Sequence, residues 1–303
     1  MPDFLSSQDQ WAIVGRQSPK EIMKQYGKSY YLATKFINPR KKNAIYNLYK
    51  LVRIPDLVVD THQNHATNEQ KKETLTLLRA HRHRVLDQRQ YDDVFFGSVS
   101  YMVRDMKLNT TWIEAFWDAM ERDTVVFRYH TRSDLCQYMY GSAEVVGLLM
   151  TQIIGYSHEA ALPYAQTLGR AMQYANFLRD VREDWEELGR IYLPAQDLAG
   201  FGLTHEDIIH FCNTKTIDDR RMAYMKRAIN RCDDLFEQSF SGLKYLTKFS
   251  RQAIYLAARL YQSILRKIEN IDYNVFALSA RTTPTEKFIT LSRYVVDRSW
   301  LKK

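Results

Sequence analysis

FLRDVREDW, residues 177–185, sets Asp180 and Asp184 four positions apart, with Arg179 and Arg182 beside them and Asn176 just ahead. On a helix, positions i and i+4 share one face, so these carboxylates and the amide would project together. Stacked like charges repel unless a cation or a donor lies between them. The stretch is therefore either a solvated face of ion pairs or one half of a cation site. A partner elsewhere in the chain decides which.

LYKLVRIPDLVVD, residues 48–60, supplies that partner. Asp56 and Asp60 repeat the spacing, and Arg53 stands one turn earlier. Both segments are otherwise apolar, as suits helices that line an interior. Two such pairs, far apart in sequence, can face each other across a bundle. Mg²⁺ suits that geometry: it takes oxygen ligands, accepts few protein carboxylates and fills its octahedron with water and phosphate. Nearby arginines neutralise the same phosphates. The residues alone thus point to a Mg²⁺–diphosphate site between two helices.

The rest of the chain reads as a helical host. It has 303 residues, only 7 prolines and 11 glycines, and little of the alternation that marks strands, so the expected class is all-α. Helices are expected over 19–36, 39–60, 68–85, 94–109, 111–128, 133–154, 159–188, 204–212, 218–246, 249–270 and 284–297. No repeat, low-complexity run or linker divides them, and residues 1–303 read as a single-domain helical bundle. An apolar fraction of 45% with 26% charged residues is that of a globular chain and excludes disorder.

Cys136, Cys212 and Cys232 are scattered, with no CxxC pair, and read as thiols in a reducing compartment. The start MPDFLSSQDQW lacks the pattern of a secretion signal, and no run reaches the ~18–20 apolar residues of a membrane span. A cytoplasmic location is expected. The net charge of +8 favours an anionic partner. HRHR at 81–84 is a tight basic cluster, and without a recognition motif around it no nucleic-acid partner is expected.

Longer blocks carry a resemblance. NFLRDVREDWEELGRIYLP (176–194) resembles the second aspartate-rich signature of the squalene/phytoene synthase family. KSYYLATKFINPRKKNAIYNLYKLVRIPDLVVD (28–60) resembles its N-terminal block and first aspartate motif. DLCQYMYGSAEVVGLLM (134–150) is similar to its central helix, and RQAIYLAARLYQSILRKIENIDYNVF (251–276) to its C-terminal helix. The likeness covers nearly the whole chain in order, and its flavour is closest to prokaryotic phytoene synthases.

The resemblance implies an all-α isoprenoid-synthase bundle with a central cavity and head-to-head (1′–1) condensation of two prenyl diphosphates. It implies Mg²⁺, with Mn²⁺ as a substitute, held by Asp56 and Asp60 on one helix and by Asn176, Asp180 and Asp184 on the other. Arg53 and Arg179 would pair with diphosphate oxygens. Lys28, Ser29 and Tyr30 would contact substrate, as would Tyr138 and Arg281, and Tyr49, Gln173 and Tyr261 would surround the reacting allylic carbons. Two C20 diphosphates would give phytoene. Two C15 diphosphates would give dehydrosqualene or, with hydride from NADPH, squalene; no GxGxxG motif speaks for the nucleotide. A one-substrate cyclase or diphosphatase and a non-enzymatic assembly role are the other classes, and retention of the aspartates argues against the last. A water-insoluble product implies loose association with a membrane face through an apolar mouth with a basic rim.

Some positions depart from the pattern. Leu57 stands where many relatives carry a second acid, and Leu278 where an arginine is common, with Arg281 as its expected substitute. Pro55 removes a donor to the carbonyl of Leu51 and reads as a tolerated kink. Glu144 reads as an acid at the bundle rim paired with a nearby Lys or Arg. Gly141, Ala143 and Gly147 would leave room for a prenyl chain. Tyr138, Tyr140 and Tyr174 are expected on cavity-facing helices, where aromatic faces steady carbocations.

Overall fold

The computed structural model describes residues 8–60, 66–280 and a few positions between 283 and 294. Arg281 and most of the helix expected over 284–297 lie outside the described residues. Fifteen α-helices follow one another among the described residues. They are α1 (Gln10–Gly15), α2 (Pro19–Tyr26), α3 (Lys28–Ala33), α4 (Pro39–Asp60), α5 (Asn68–Asp87), α6 (Gly97–Asp105), α7 (Thr110–Arg122), α8 (Arg132–Met139) and α9 (Val145–Ile154). After them come α10 (Ala161–Arg179), α11 (Val181–Leu188), α12 (Ala195–Ala199), α13 (His205–Thr214), α14 (Asp219–Phe240) and α15 (Lys248–Asn270). Two isolated bridges, Arg128–Ile191 and Tyr156–Leu246, are the only β pairing among them.

The local chemistry sets many of the ends. Ser18 and Glu21 close a capping box on α2, Thr67 and Gln70 on α5, and Thr131 and Asp134 on α8. The helix expected over 19–36 is cut at Gly27, which lies under the Tyr49 ring; a Cβ there would come within 2.8 Å of it. α4 matches its expected span and runs through Pro55 without a break, so the proline is tolerated. The segment expected over 133–154 contains a π-helical turn, Tyr140–Glu144. α1 and α12, at six and five residues, are too short for periodicity to reveal.

One hydrophobic core runs from Trp11 to Ala280. α4 buries Ile45, Leu48, Leu51, Ile54, Leu57 and Val58 in it, each contributing about 1.5–3 kcal/mol by leaving water. Leu57 is thus a core residue and not a vacant ligand position. α9 and α10 pack almost in contact. A Cβ on Gly147 would lie 2.5 Å from the carbonyl oxygen of Ala165, and one on Gly169 2.6 Å from that of Ala143. Gly141 packs in the same way against the Ala115 carbonyl of α7. These small residues first serve close packing, and Ala143 and Gly147 also line the space between α4, α9, α10 and α15.

Glu144 corrects an expectation. It is paired, with Arg170 Nε donating to its Oε1 at 2.6 Å, but it is buried within the π turn and not at the rim. Burial of an acid is sustained there by the ion pair, whose loss would strand a charge.

Candidate active site

α4, α9, α10 and α15 enclose a cavity of about 360 Å³. Its wall is mostly apolar along its length and polar at one end. There α4 contributes Tyr49, Arg53 and Asp56, α10 contributes Gln173 and Asn176, and α15 contributes Tyr261. Asp60, one turn beyond Asp56, and Asp180 and Asp184, beyond Asn176, continue the two acidic rows past the lining.

The rows meet electrostatically across the gap. Burial pushes the carboxyl of Asp184 well above the usual range, and next in weight come Asp180 on its own row and Asp60 on the opposite one; Arg190 and Arg179 oppose the shift. Asp60 is pushed up to about 8, by the protein packed around it first and by Asp56 second, with Arg190 and Arg53 pulling down. Its side chain keeps 41% exposure, so solvent moderates the first of these causes. Four carboxylates placed to repel one another call for a cation between them.

Each row begins with its own arginine. Arg53 is paired with Asp56, and Arg179 Nε donates to Asp180 Oδ1 at 2.6 Å. Arg53 also lies over the Tyr26 ring, 4.8 Å from its centroid. Arg182 turns away, donating to the Phe276 carbonyl. Tyr30, Tyr49 and Tyr261 form an aromatic group beside the arginines, with Tyr30 5.2 Å from Tyr261 and 6.3 Å from Tyr49. Burial raises all three hydroxyls above their ordinary value, so they stay neutral phenols.

Arg190 is a member that sequence reasoning missed. Its side chain is 4% exposed and lies 3.7 Å from Asp60 and 4.0 Å from Asp123. It donates to the Asp123 backbone carbonyl at 2.7 Å and to the Tyr192 hydroxyl at 3.3 Å. Gly189 explains how it arrives. With φ of +64° it ends α11 in the left-handed region that favours glycine, and the next residue bends back to donate its N–H to the Asp184 carbonyl. The Arg128–Ile191 bridge then fixes the following segment. The string GRIYLP carried this signal, but a lone arginine there has no helical partner to draw attention to it.

Tyr138 corrects a second expectation. It does not line the cavity; it is buried beneath the acidic end and donates to Asp123 at 2.7 Å. Burial lifts Asp123 to about 6, against the pull of Arg190 and of that hydroxyl. Tyr174 faces a different, smaller pocket with Arg132 and Arg231, and Tyr140 is partly exposed. Lys28 and Ser29 occupy the first turn of α3 outside the cavity wall, whereas Tyr30 is part of it. Leu278 is exposed.

The residues fit a divalent cation of the hard kind. Asn176 Oδ1 is buried with no hydrogen-bond partner and belongs to the polar end, an oxygen whose desolvation is uncompensated by the protein. Among the described residues no three His, Cys, Asp or Glu side chains close into a metal cage. A hard divalent cation takes oxygen ligands of this type and completes its shell with water and phosphate.

Comparison with known proteins gives the family and the fold. The squalene/phytoene synthase family model matches residues 23–287. A chloroplastic phytoene synthase of Narcissus pseudonarcissus is 32% identical over 278 residues, covering 89% of this chain and 63% of that protein, so the chain spans less than two thirds of that relative. A 15-cis-phytoene synthase of Synechococcus elongatus is 32% identical over 287 residues, covering 90% and 89%. Among solved structures, a dehydrosqualene synthase in complex with ligand superposes with a TM-score of 0.80 at 26% identity, covering 95% and 96% of the two chains. The chain belongs to the squalene/phytoene synthase family, a family of prenyltransferase enzymes.

Proposed function

We propose that the protein condenses two prenyl diphosphates head to head, 1′ carbon to 1, by way of a cyclopropylcarbinyl diphosphate, and that two geranylgeranyl diphosphates give phytoene. One observation carries the reading: two acidic rows, each led by an arginine, stand at the polar end of a single long apolar cavity. Asp56, Asp60, Asn176, Asp180 and Asp184 would hold Mg²⁺, or Mn²⁺, which would supply the positive charge that a departing diphosphate needs.

The chain's own residues do the remainder. Arg53 and Arg179 receive phosphate oxygens and stabilise the charge that grows as the allylic C–O bond breaks. Tyr30, Tyr49 and Tyr261 present ring faces to the carbocation, and Gln173 offers an amide dipole beside it. The apolar wall formed by Leu48, Val52, Val146 and Leu168 keeps water from the cation. The second substrate's double bond attacks C1, a proton leaves to close the cyclopropane, and a second ionisation rearranges the ring before the final proton is lost. The likeness to the dehydrosqualene synthase structure supports a C30 alternative from farnesyl diphosphate, in which NADPH would serve only if the product were squalene.

Incubation with Mg²⁺ and the C15 or C20 diphosphate, with and without NADPH, followed by hydrocarbon extraction, tests the reading. A C40 hydrocarbon from the C20 substrate is expected without NADPH. A C30 product alone would favour the alternative, and a prenyl alcohol or a cyclic monomer as sole product would overturn both.

The insoluble product also supports peripheral docking on an anionic membrane face. Among the described residues no helix is long and apolar enough to cross a membrane. Phe249 is 66% exposed with Lys248 beside it and Lys244 one short turn earlier, an apolar tip in a basic setting. Co-sedimentation with vesicles containing acidic phospholipid should retain the protein, and Phe249→Glu should release it about tenfold. Full recovery of the unaltered protein in the supernatant would refute docking.

A further inference from the structure

The end of the cavity remote from the carboxylates has its own construction. Ala161 and Tyr164, on the first turn of α10, meet Gly242 and Leu246 from the turn that joins α14 to α15. Tyr164 lies directly on Gly242. A Cβ at that position would stand 2.3 Å from the Tyr164 Cβ and 2.7 Å from its Cγ, so only glycine admits the ring in this seat. Behind it, Tyr164 stacks on Tyr245, with centroids 6.3 Å apart, and Tyr245 on His158, 5.7 Å apart. His158 is exposed. The floor is therefore a thin aromatic stack between the cavity and solvent.

The depth above that floor can be measured along α10, whose Asn176 belongs to the polar end and Ala161 to the floor. At 1.5 Å per residue this run is about 22 Å long. An extended chain advances roughly 1.2 Å per backbone bond, so an isoprenoid tail of four units spans roughly 19 Å and one of three units roughly 14 Å. Four units reach the floor; three stop well short of it, and a fifth would drive into the Tyr164 ring. We propose that Tyr164, seated on Gly242, is the specificity-determining residue that fixes tail length at four isoprene units.

This inference rests on the prenyl-diphosphate reading above, and both binding and turnover are measured so that the two can fail separately. C15, C20 and C25 diphosphates are offered with Mg²⁺ to the unaltered protein and to Tyr164→Ala, Tyr164→Phe and Gly242→Ala. The unaltered protein should prefer C20 to C25 by about tenfold or more, in kcat/KM and in Kd. Tyr164→Ala should bring the two within about twofold, and Tyr164→Phe should change little, because the ring and not the hydroxyl is the obstacle. Gly242→Ala, which displaces the ring from its seat, should change the C15:C20 preference. An unchanged C25:C20 ratio in a Tyr164→Ala protein of normal thermal midpoint overturns the inference. If Tyr164→Ala fails to fold, an unchanged C15:C20 ratio in Gly242→Ala overturns it instead. If no hydrocarbon forms from any substrate, the reaction assignment falls while the Kd ratios still decide the floor: the same shift upholds it, and none overturns it.

Discussion

Asp180→Asn should lower hydrocarbon formation by about 10³-fold at saturating Mg²⁺, the scale expected when one preorganised source of transition-state stabilisation is removed. The substitution keeps shape but deletes a charge that would hold the cation, and it releases Arg179 from the pairing that orients it. Asp184→Asn should cost activity similarly and yet leave the apo protein more stable. The Asp184 carboxylate is disfavoured by burial and by Asp180 and Asp60, so exchanging it for a neutral amide relieves the folded state. The thermal midpoint measured in chelator should rise, by about 2 °C for each kcal/mol relieved in a chain of this size. Retained activity, or a midpoint that falls, would show that the rows do not oppose each other as described.

Arg190→Met should have the largest effect on stability. The guanidinium is almost wholly enclosed between Asp60 and Asp123 and satisfies the Asp123 carbonyl. Removing one partner of a buried pair typically costs about 3–5 kcal/mol, because the remaining charge is stranded. The cost should fall toward the lower figure, since Asp60 is open enough to take up a proton. Urea unfolding should register it as an early midpoint, with activity lost as well. Arg53→Met offers the contrast. Arg53 pairs with Asp56 where both side chains meet solvent, so its loss should change stability by under about 1 kcal/mol, while catalysis suffers through the diphosphate. A small stability effect for Arg190→Met would mean that it is a substrate ligand and not a strut.

The acidic rows were legible because helical periodicity turns a spacing of four into a shared face, although the second row, expected on one helix over 159–188, is carried across a break at Asp180 between α10 and α11. Asp56 and Asn176 accordingly line one end of one cavity, and Asp60, Asp180 and Asp184 continue the rows beyond its lining. The helical class was legible for the same reason, together with the scarcity of breakers. What periodicity does not encode is contact between a helix and a coil. Arg190 reaches the site from just beyond a left-handed glycine, and Asp123 from just past the end of α7. Tyr138 misled for a related reason. A helix beside the cavity has one face toward it and another toward the next layer, and sequence alone did not fix which face Tyr138 takes. Glu144 has the basic partner expected of it but lies deeper than the rim, because Arg170 is on a helix packed against it and only the tertiary fold brings the two together.

The resting attachments of Arg53 and Arg179 have a consequence for how a polyanion enters. Each cationic side chain is already engaged by a carboxylate of its own row, so neither group waits naked for a visitor. A metal ion held by the carboxylates and a diphosphate held by the guanidiniums would trade these partners, and neither arginine would be left without a counter-ion. For these two ion pairs binding would thus be an exchange of counter-ions, and the empty protein is spared two bare guanidiniums at the edge of an oily cavity.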